Sequence, residues 1–241
     1  MKKMISSLAM ILFIGSFAVQ AQNLNKILDD YYDAVGMKKL LNTTTIVMKG
    51  NIVQMNMDLP MTMYRKRPNK MRMEAVIQGN KFVQAYNGKD GWAIMPWTGS
   101  TDPQPLTDDQ VKLLEQEADI EGDLYNWKEK GFEVTLEGSD EMEGTPVYKI
   151  KVVKPSGNEY TYYLDKDNNV VLREDARVKV QGTPIESATY YSNFKSVDGM
   201  IMPFSIESKM NGQVTSQITI DSVEVNQDID DSMFDMPEAT K

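Results

Sequence analysis

Val53-Gln54-Met55-Asn56-Met57-Asp58-Leu59-Pro60-Met61-Thr62-Met63 carries an apolar side chain at every odd position and a polar residue or proline at every even one. Successive side chains of an extended chain point to opposite faces, so this period of two predicts strand with one wet and one dry face. Proline cannot donate to a central ladder, which places a turn or bend at Asp58-Leu59-Pro60. Further strands are expected over 70–78, 82–87, 91–96, 133–137, 147–153, 159–165, 170–180, 186–197, 203–210 and 214–225. Turn chemistry separates them, as in Gln78-Gly79-Asn80, Asn87-Gly88-Lys89, Asp167-Asn168-Asn169, Val197-Asp198-Gly199 and Asn211-Gly212-Gln213. About eleven strands joined by hairpin-length loops predict a mainly β fold, one antiparallel meander in one domain. No composition shift or long linker marks a second domain.

Two segments depart from this period. Leu24, Ile27, Leu28, Tyr31 and Val35 recur at helical spacing ahead of Gly36, predicting an N-terminal helix. Thr107-Asp108-Asp109-Gln110 has the form of a capping box, and Val111, Leu114 and Ala118 continue at helical spacing towards Gly122. One or two short helices are therefore expected over 107–127. Two helical segments beside one large antiparallel sheet can close over its concave face.

The first residues read as an export signal. Lys2 and Lys3 precede a largely apolar stretch over 4–19, and Val19-Gln20-Ala21 offers small residues at the positions a signal peptidase reads. The apolar core is shorter than the roughly 20 residues of a spanning helix, so cleavage after Ala21 is expected rather than anchoring. No cysteine follows to carry a lipid, which predicts a soluble mature chain of 220 residues rather than a lipid-anchored one. Two of the 26 basic side chains leave with the signal, and against 35 acidic ones the net charge falls from −9 to −11. Such a chain is a poor ligand for nucleic-acid phosphates or an anionic membrane. The absence of His and Cys excludes His-dependent triads, thiol nucleophiles and the usual zinc sites. Catalysis is unsupported, and no cofactor or metal is expected.

Methionine usage points elsewhere. Of 18 methionines, three fall in the signal segment, and eight of the others lie between Met37 and Met73. Methionine is flexible and polarizable, and a Met-rich surface can reshape around varied apolar partners. Met55, Met57, Met61 and Met63 share one face if pairing is uninterrupted, and Arg65 and Arg67 continue the same parity. An apolar face ending in arginines suits a ligand with acyl chains and a polar head. An ordinary sheet core that uses methionine is the competing reading.

Lys66-Arg67-Pro68-Asn69-Lys70-Met71-Arg72, followed by Ala85-Tyr86-Asn87-Gly88-Lys89-Asp90-Gly91-Trp92, resembles the core motif of the periplasmic outer-membrane lipoprotein carriers. Tyr162-Tyr163-Leu164-Asp165, Val197-Asp198-Gly199-Met200-Ile201-Met202-Pro203 and Asp231-Ser232-Met233-Phe234-Asp235-Met236-Pro237 are similar to later features of that superfamily. The resemblance implies an incomplete, strongly curved antiparallel half-barrel with helices forming a lid over an apolar cavity for acyl chains. It also implies that the arginine of the Arg-Pro step, Arg67, bonds to the lid and holds it shut. The chain departs from the carrier pattern in its length, its Met-rich segment and its opening Ile27-Leu28-Asp29-Asp30-Tyr31-Tyr32-Asp33-Ala34-Val35-Gly36. These features resemble divergent members whose cargo need not be a lipoprotein, and fold does not settle cargo.

The expected cavity residues are therefore Met55, Met57, Met61, Met63, Arg65, Arg67, Met71, Met73, Trp92 and Trp97, with Val111, Leu114 and Ala118 in the lid. Trp92 and Trp97 bracket a short strand and either line the cavity mouth or pack under the lid. Arg67 either latches the lid helix starting near Thr107 or points to water. Asp165, Asp167 and Asn169 have an alternating acidic spacing, but position twelve of a calcium loop would be Ala176, so a hairpin turn is expected. Glu137, Asp140, Glu141 and Glu143 read as a solvated loop, and the tyrosines of 160–163 and 190–191 as packing residues. The expected function is a periplasmic carrier or binding protein for lipoprotein acyl chains or another apolar ligand, served by a membrane-bound donor or acceptor. The alternative is an envelope sensor or adaptor of the same fold.

Overall fold

Met55 and Asn56, at φ of 51° and 59°, turn the chain back on itself, so the opening stretch forms a hairpin rather than one strand. Two left-handed residues in succession match the right-handed twist of the flanking strands. The turn expected at Asp58-Leu59-Pro60 is absent. Pro60 sits opposite Asn51, one residue beyond the first β2–β3 pair, Met61 with Ala75, where a missing N–H is tolerated. The parity of the two arms follows from the hairpin. Val53 pairs with Asp58 on the wetter face, and Ile52, opposite Leu59, takes the dry position expected for Val53.

The structure, a computed structural model, describes residues 23–180 and 183–238. The expected signal segment and its cleavage point lie outside the described residues. A helix over 23–35 (α1) and a short helix Met37–Leu41 (α2) precede the strands. These are β1 (Thr45–Gln54), β2 (Met57–Lys66), β3 (Lys70–Ile77), β4 (Asn80–Tyr86), β5 (Gly91–Ile94) and β6 (Gln104–Pro105). Helix α3 (Asp108–Ala118) follows, then β7 (Glu133–Met142), β8 (Thr145–Val153), β9 (Glu159–Asp165), β10 (Val171–Val180), β11 (Thr183–Val197), β12 (Met200–Met210) and β13 (Gln213–Val225). All thirteen strands belong to one unclosed antiparallel sheet, in the order β6-β5-β4-β3-β2-β1-β13-β12-β11-β10-β9-β8-β7. The expected mainly β class is therefore correct. The strand number exceeds the expected one because 45–66 is a hairpin and because the two-residue β6 is too short to show a period.

Two compact units divide the chain. The first holds the described residues to Met37 and Asp123–Tyr190. Leu24, Ile27 and Leu28 of α1 pack with Val134, Ile150, Val152, Tyr160, Tyr162 and Leu164, as the helical spacing of the first three requires. Ile150, Val152 and Leu164 are wholly buried, each contributing about 1.5–3 kcal/mol. The turns that follow Gly122 are tied down by Asp123, whose carboxylate pairs with the Lys154 ammonium at 2.8 Å and accepts from the Tyr162 hydroxyl at 3.0 Å. Lys154 also stands 4.4 Å from the Tyr160 ring centre. Only α3 is helical within 107–127; the stretch beyond Ala118 runs as bends and turns.

The second unit holds Lys38–Gly122 and the chain from Tyr191 onward. A Cβ at Gly50 would stand 2.0 Å from the Thr219 carbonyl oxygen, where the β1–β13 register shifts, so only glycine admits that approach. On one face Val47, Tyr64, Arg72, Ala85 and Trp92 form a row of cross-strand partners. The segment over 226–238 lies on this face. Its Ile229 and Phe234 pack with Val47, and Phe234 is wholly buried. Arg72 Nη1 donates to the Met233 carbonyl at 2.7 Å, and Asp231 pairs with Lys66 at 2.7 Å and Lys70 at 3.0 Å. The opposite face carries the candidate site.

Candidate functional site

Met57, Leu59, Met61, Met63 and Arg65 of β2 alternate onto that opposite face, and the register fixes their neighbours. Leu59 lies beside Ile52, Met61 between Gly50 and Ala75, and Met63 between Met48 and Met73. Ile52, Leu59, Met61 and Ala75 are buried together, with Met57, Met63, Met73, Ile77, Phe82 and Ile218 packed around them. A cavity of about 560 Å³ opens among these side chains. Its walls are Ile52, Met57, Leu59, Met73, Ala75, Ile77 and Phe82, with Met55, Pro96 and Trp97 also in its lining. Gln54, Gln78 and Asn80 are the polar residues of its lining. No residue that ionises at neutral pH lines it, so it can shelter apolar matter and offers no acid, base or nucleophile.

The mouth lies at the hairpin end. The β1–β2, β3–β4 and β12–β13 turns fall at the same end of their antiparallel neighbours. Met55 is 83% exposed at the β1–β2 tip and Trp97 62% exposed beyond β5. The Trp97 ring stacks on Phe82, with centroids 5.4 Å apart and planes 23° from parallel. Met210 and Val214, beside the β12–β13 turn, are exposed as well.

Farther along the same face, α3 covers the next row. Leu114 and Ala118 bury against Met71 and Tyr86, with Leu106 and Val111 alongside. The absent side chain of Gly91 makes room: a Cβ there would lie 3.1 Å from Val111 Cγ2 and 3.3 Å from Leu106 Cδ1. The helix starts as expected, with the Thr107 N–H donating to Gln110 Oε1 at 3.0 Å. Val111, Leu114 and Ala118 thus take the sheet-facing positions that their spacing predicts.

Arg67 does not point to water. Its Nε donates to the Thr43 carbonyl at 2.7 Å, its Nη2 to the Leu40 carbonyl at 2.8 Å, and its Nη1 pairs with the Glu121 carboxylate. The expected contact near Thr107 is replaced by one beyond the other end of α3. The reason is helix direction: Leu106 and Val111 pack at Gly91 on β5, so the chain after Ala118 is what returns towards β2. Arg65, two residues earlier, has a different environment. Its Nε is buried without a hydrogen-bond partner. Burial presses the Arg65 guanidinium below its ordinary pKa, against the opposing pull of Glu117 and Asp119.

Of the expected cavity residues, the structure brings Met55, Met57, Met73 and Trp97 to the cavity wall, and places Met61 and Met63 in the cluster around it. Met71 lies under α3. Trp92 lies on the opposite face, 2% exposed, its Nε1 donating to the Phe234 carbonyl at 2.8 Å. Parity decides this: Trp92 pairs with Ala85, whose neighbour Tyr86 faces α3. Ile52, Leu59, Ala75, Ile77 and Phe82 escaped the sequence reading, although strand register applied to the hairpin would have reached them.

The remaining sequence features resolve as structure. Asp165 Oδ1 accepts from the N–H groups of Asp167 (2.8 Å) and Asn168 (3.2 Å), which makes a hairpin turn of the acidic repeat. Glu137, Asp140, Glu141 and Glu143 are exposed as expected, but the first three lie on β7 and only Glu143 in a turn, so the expected loop is mostly strand. No group of three or more metal-ligating side chains occurs among the described residues, and no helix there is long and apolar enough to cross a membrane.

Comparison with known proteins follows this geometry. A DUF1329 family protein from Desulfovibrio piger superposes with a TM-score of 0.61 at 14% identity, covering 86% of this chain and 96% of its own. A LolA superfamily protein from Nitrosomonas europaea gives 0.56 at 12% identity, with coverage of 80% and 90%. A domain assigned as an outer membrane lipoprotein-sorting protein, from Vibrio parahaemolyticus, gives 0.57 at 9% identity, with coverage of 88% and 97%. No curated protein matches the sequence. A family described as “-like: Uncharacterized protein” matches residues 69–238, most of the chain. The chain therefore belongs to that family, and its fold is the one found in LolA superfamily proteins.

Proposed function

We propose that this protein is a periplasmic carrier or binding protein for an apolar ligand such as the acyl chains of a lipoprotein, acting without chemistry or cofactor. The observation that carries the reading is the cavity of about 560 Å³, walled by methionine, aliphatic and aromatic side chains on one face of the second unit. Pockets that take small apolar ligands have this size and lining. Methionine walls can conform to chains of different length and branching. The fold shared with a LolA superfamily protein agrees with the reading. Removal of residues 1–21 and a single functional domain over 22–241 belong to the same proposal.

An envelope adaptor is the second reading, favoured by the exposed Met55, Trp97, Met210 and Val214 beside the cavity mouth. Such a surface suits a protein or membrane partner. Native mass spectrometry of the protein taken from its own periplasm, followed by lipid extraction, separates the two. A co-purifying lipid near one equivalent supports the carrier. A natively folded protein that neither retains lipid nor binds a neutral apolar dye overturns it in favour of the adaptor.

A further inference from the structure

Arg65 is the one arginine on the apolar face of β2, and its position costs stability unless something accepts from it. A guanidinium has five donors and no alternative neutral form at physiological pH. Leaving a charged donor buried and unmatched is among the more expensive arrangements in a folded chain. Neighbouring Arg67 shows what satisfaction looks like, with two carbonyls and a carboxylate in reach. Arg65 Nε is buried with no hydrogen-bond partner, although the residue as a whole is only partly buried. Hydrophobic side chains flank it: Ile46 is its partner on β1 and Met71 its partner on β3.

Arg65 lies beyond the cavity wall on the same face of β2. Met57 and Leu59 line the cavity, and Met61, Met63 and Arg65 follow on the same face of the same strand. At the rise of a strand, Leu59 to Arg65 spans roughly 20 Å, the reach of a long extended acyl chain. Met73, which lines the cavity, pairs with Met63, and Met71, the next residue on that face, pairs with Arg65. The stripe is thus apolar from the mouth to the guanidinium and cationic at its inner end.

We propose that the ligand is a single-headed anionic amphiphile, its chain in the methionine-walled cavity and its carboxylate or phosphate head accepting hydrogen bonds from Arg65. This inference rests on the cavity reading above and names the ligand class for it. The lid side of the stripe agrees. The carboxylates that act on Arg65 are Glu117 and Asp119. Glu117 is exposed on α3, so water screens its charge from an anionic head. Carboxylate and phosphate heads share the chemistry that a guanidinium fork recognises, so the experiment must separate them.

The test is displacement of the neutral reporter N-phenyl-1-naphthylamine from the full mature protein by hexadecanoate, monohexadecyl phosphate and hexadecanol, which share one chain. Wild type should prefer at least one anionic amphiphile over the alcohol by about tenfold or more, the scale of a charge-assisted hydrogen bond. The order of the two anions identifies the head. Arg65→Met, which keeps the length and apolar bulk of the side chain, should bind hexadecanol as wild type does and lose the preference. Arg65→Lys keeps the charge without the fork and should retain part of it. Equal displacement by all three compounds, or a preference that survives in Arg65→Met, overturns the assignment while leaving the cavity intact. Failure of the reporter to bind wild type at all overturns the cavity reading and this inference with it.

Discussion

The guanidinium of Arg67 and the carboxylate of Glu121 form an ion pair between the turn after β2 and the segment beyond α3, with side chains only 25% and 17% exposed. Arg67 also serves the carbonyls of Leu40 and Thr43, so it ties three segments of the second unit together. The two partners are therefore separable by mutation. Glu121→Gln leaves Arg67 its two carbonyls and should cost about 1 kcal/mol in urea unfolding. Arg67→Leu strands Glu121 and both carbonyls and should cost about 3 kcal/mol. If the pair holds α3 down over the sheet, both variants take up N-phenyl-1-naphthylamine faster than wild type. Unchanged uptake in Glu121→Gln would make the pair a static tie.

Trp92 supplies a control on the far face of the same strands. Trp92→Phe keeps an aromatic ring but removes the N–H that serves the Phe234 carbonyl. Loss of that buried bond should destabilise the protein by about 1–2 kcal/mol. Reporter affinity should stay at the wild-type value, because Trp92 does not face the cavity. A matched loss of affinity would mean that the segment over 226–238 is coupled to the ligand site.

Met55 occupies a left-handed backbone position, at φ 51°, that asparagine tolerates better than methionine. Met55→Asn should raise stability by a few tenths of a kcal/mol to about 1 kcal/mol. The same change removes an apolar group from the cavity lining and should weaken reporter binding severalfold. Higher thermal stability together with lower affinity is the expected pair of results. Gains in both would remove Met55 from the binding surface.

Acid should act through Asp165. Burial alone would push its carboxyl up, but hydrogen bonds from the Asn168 side chain and from the N–H groups of Asp167 and Asn168 hold it below the usual carboxylate range. A depressed folded pKa stabilises fully above the unfolded value, near about 3.9, and loses that contribution as pH falls through the folded value. Asp165→Asn should therefore be less stable than wild type by about 1–2 kcal/mol at pH 7. The gap should narrow as pH is lowered below about 4. Urea midpoints of both proteins measured from pH 7 to pH 3 check this, and a gap that widens on acidification refutes it.

Several elements were legible before any coordinates. The spacing of Leu24, Ile27 and Leu28 identified the buried face of α1, and Thr107 with Gln110 located the start of α3. These signals are local: a helix period or a capping box involves residues a few positions apart, so the chain states them directly. Most strands also fell where the period of two and the turn residues put them. Less legible was the run around Met55, where alternation continues straight through a two-residue turn. Ile52 pairs with Leu59 and Gln54 with Met57, so the dry positions switch from even on β1 to odd on β2, and the apolar Val53 and Met55 mask that switch in the sequence.

By itself, then, the sequence determined the mainly antiparallel class, the two principal helices and the methionine face, because these depend on side-chain periodicity and on residues with restricted backbones. Only the tertiary structure decided which methionines enclose space and which fill it, since that depends on cross-strand register: Met57 and Met73 reach the cavity, whereas Met71 is sealed under α3. It also decided the fates of two arginines of equal parity. Arg67, at the turn, finds Thr43, Leu40 and Glu121, while Arg65, one pleat earlier, sits among Ile46 and Met71 with its Nε unmatched. Alternation assigns a residue to a face, but which donors and acceptors meet there is set by segments distant in sequence.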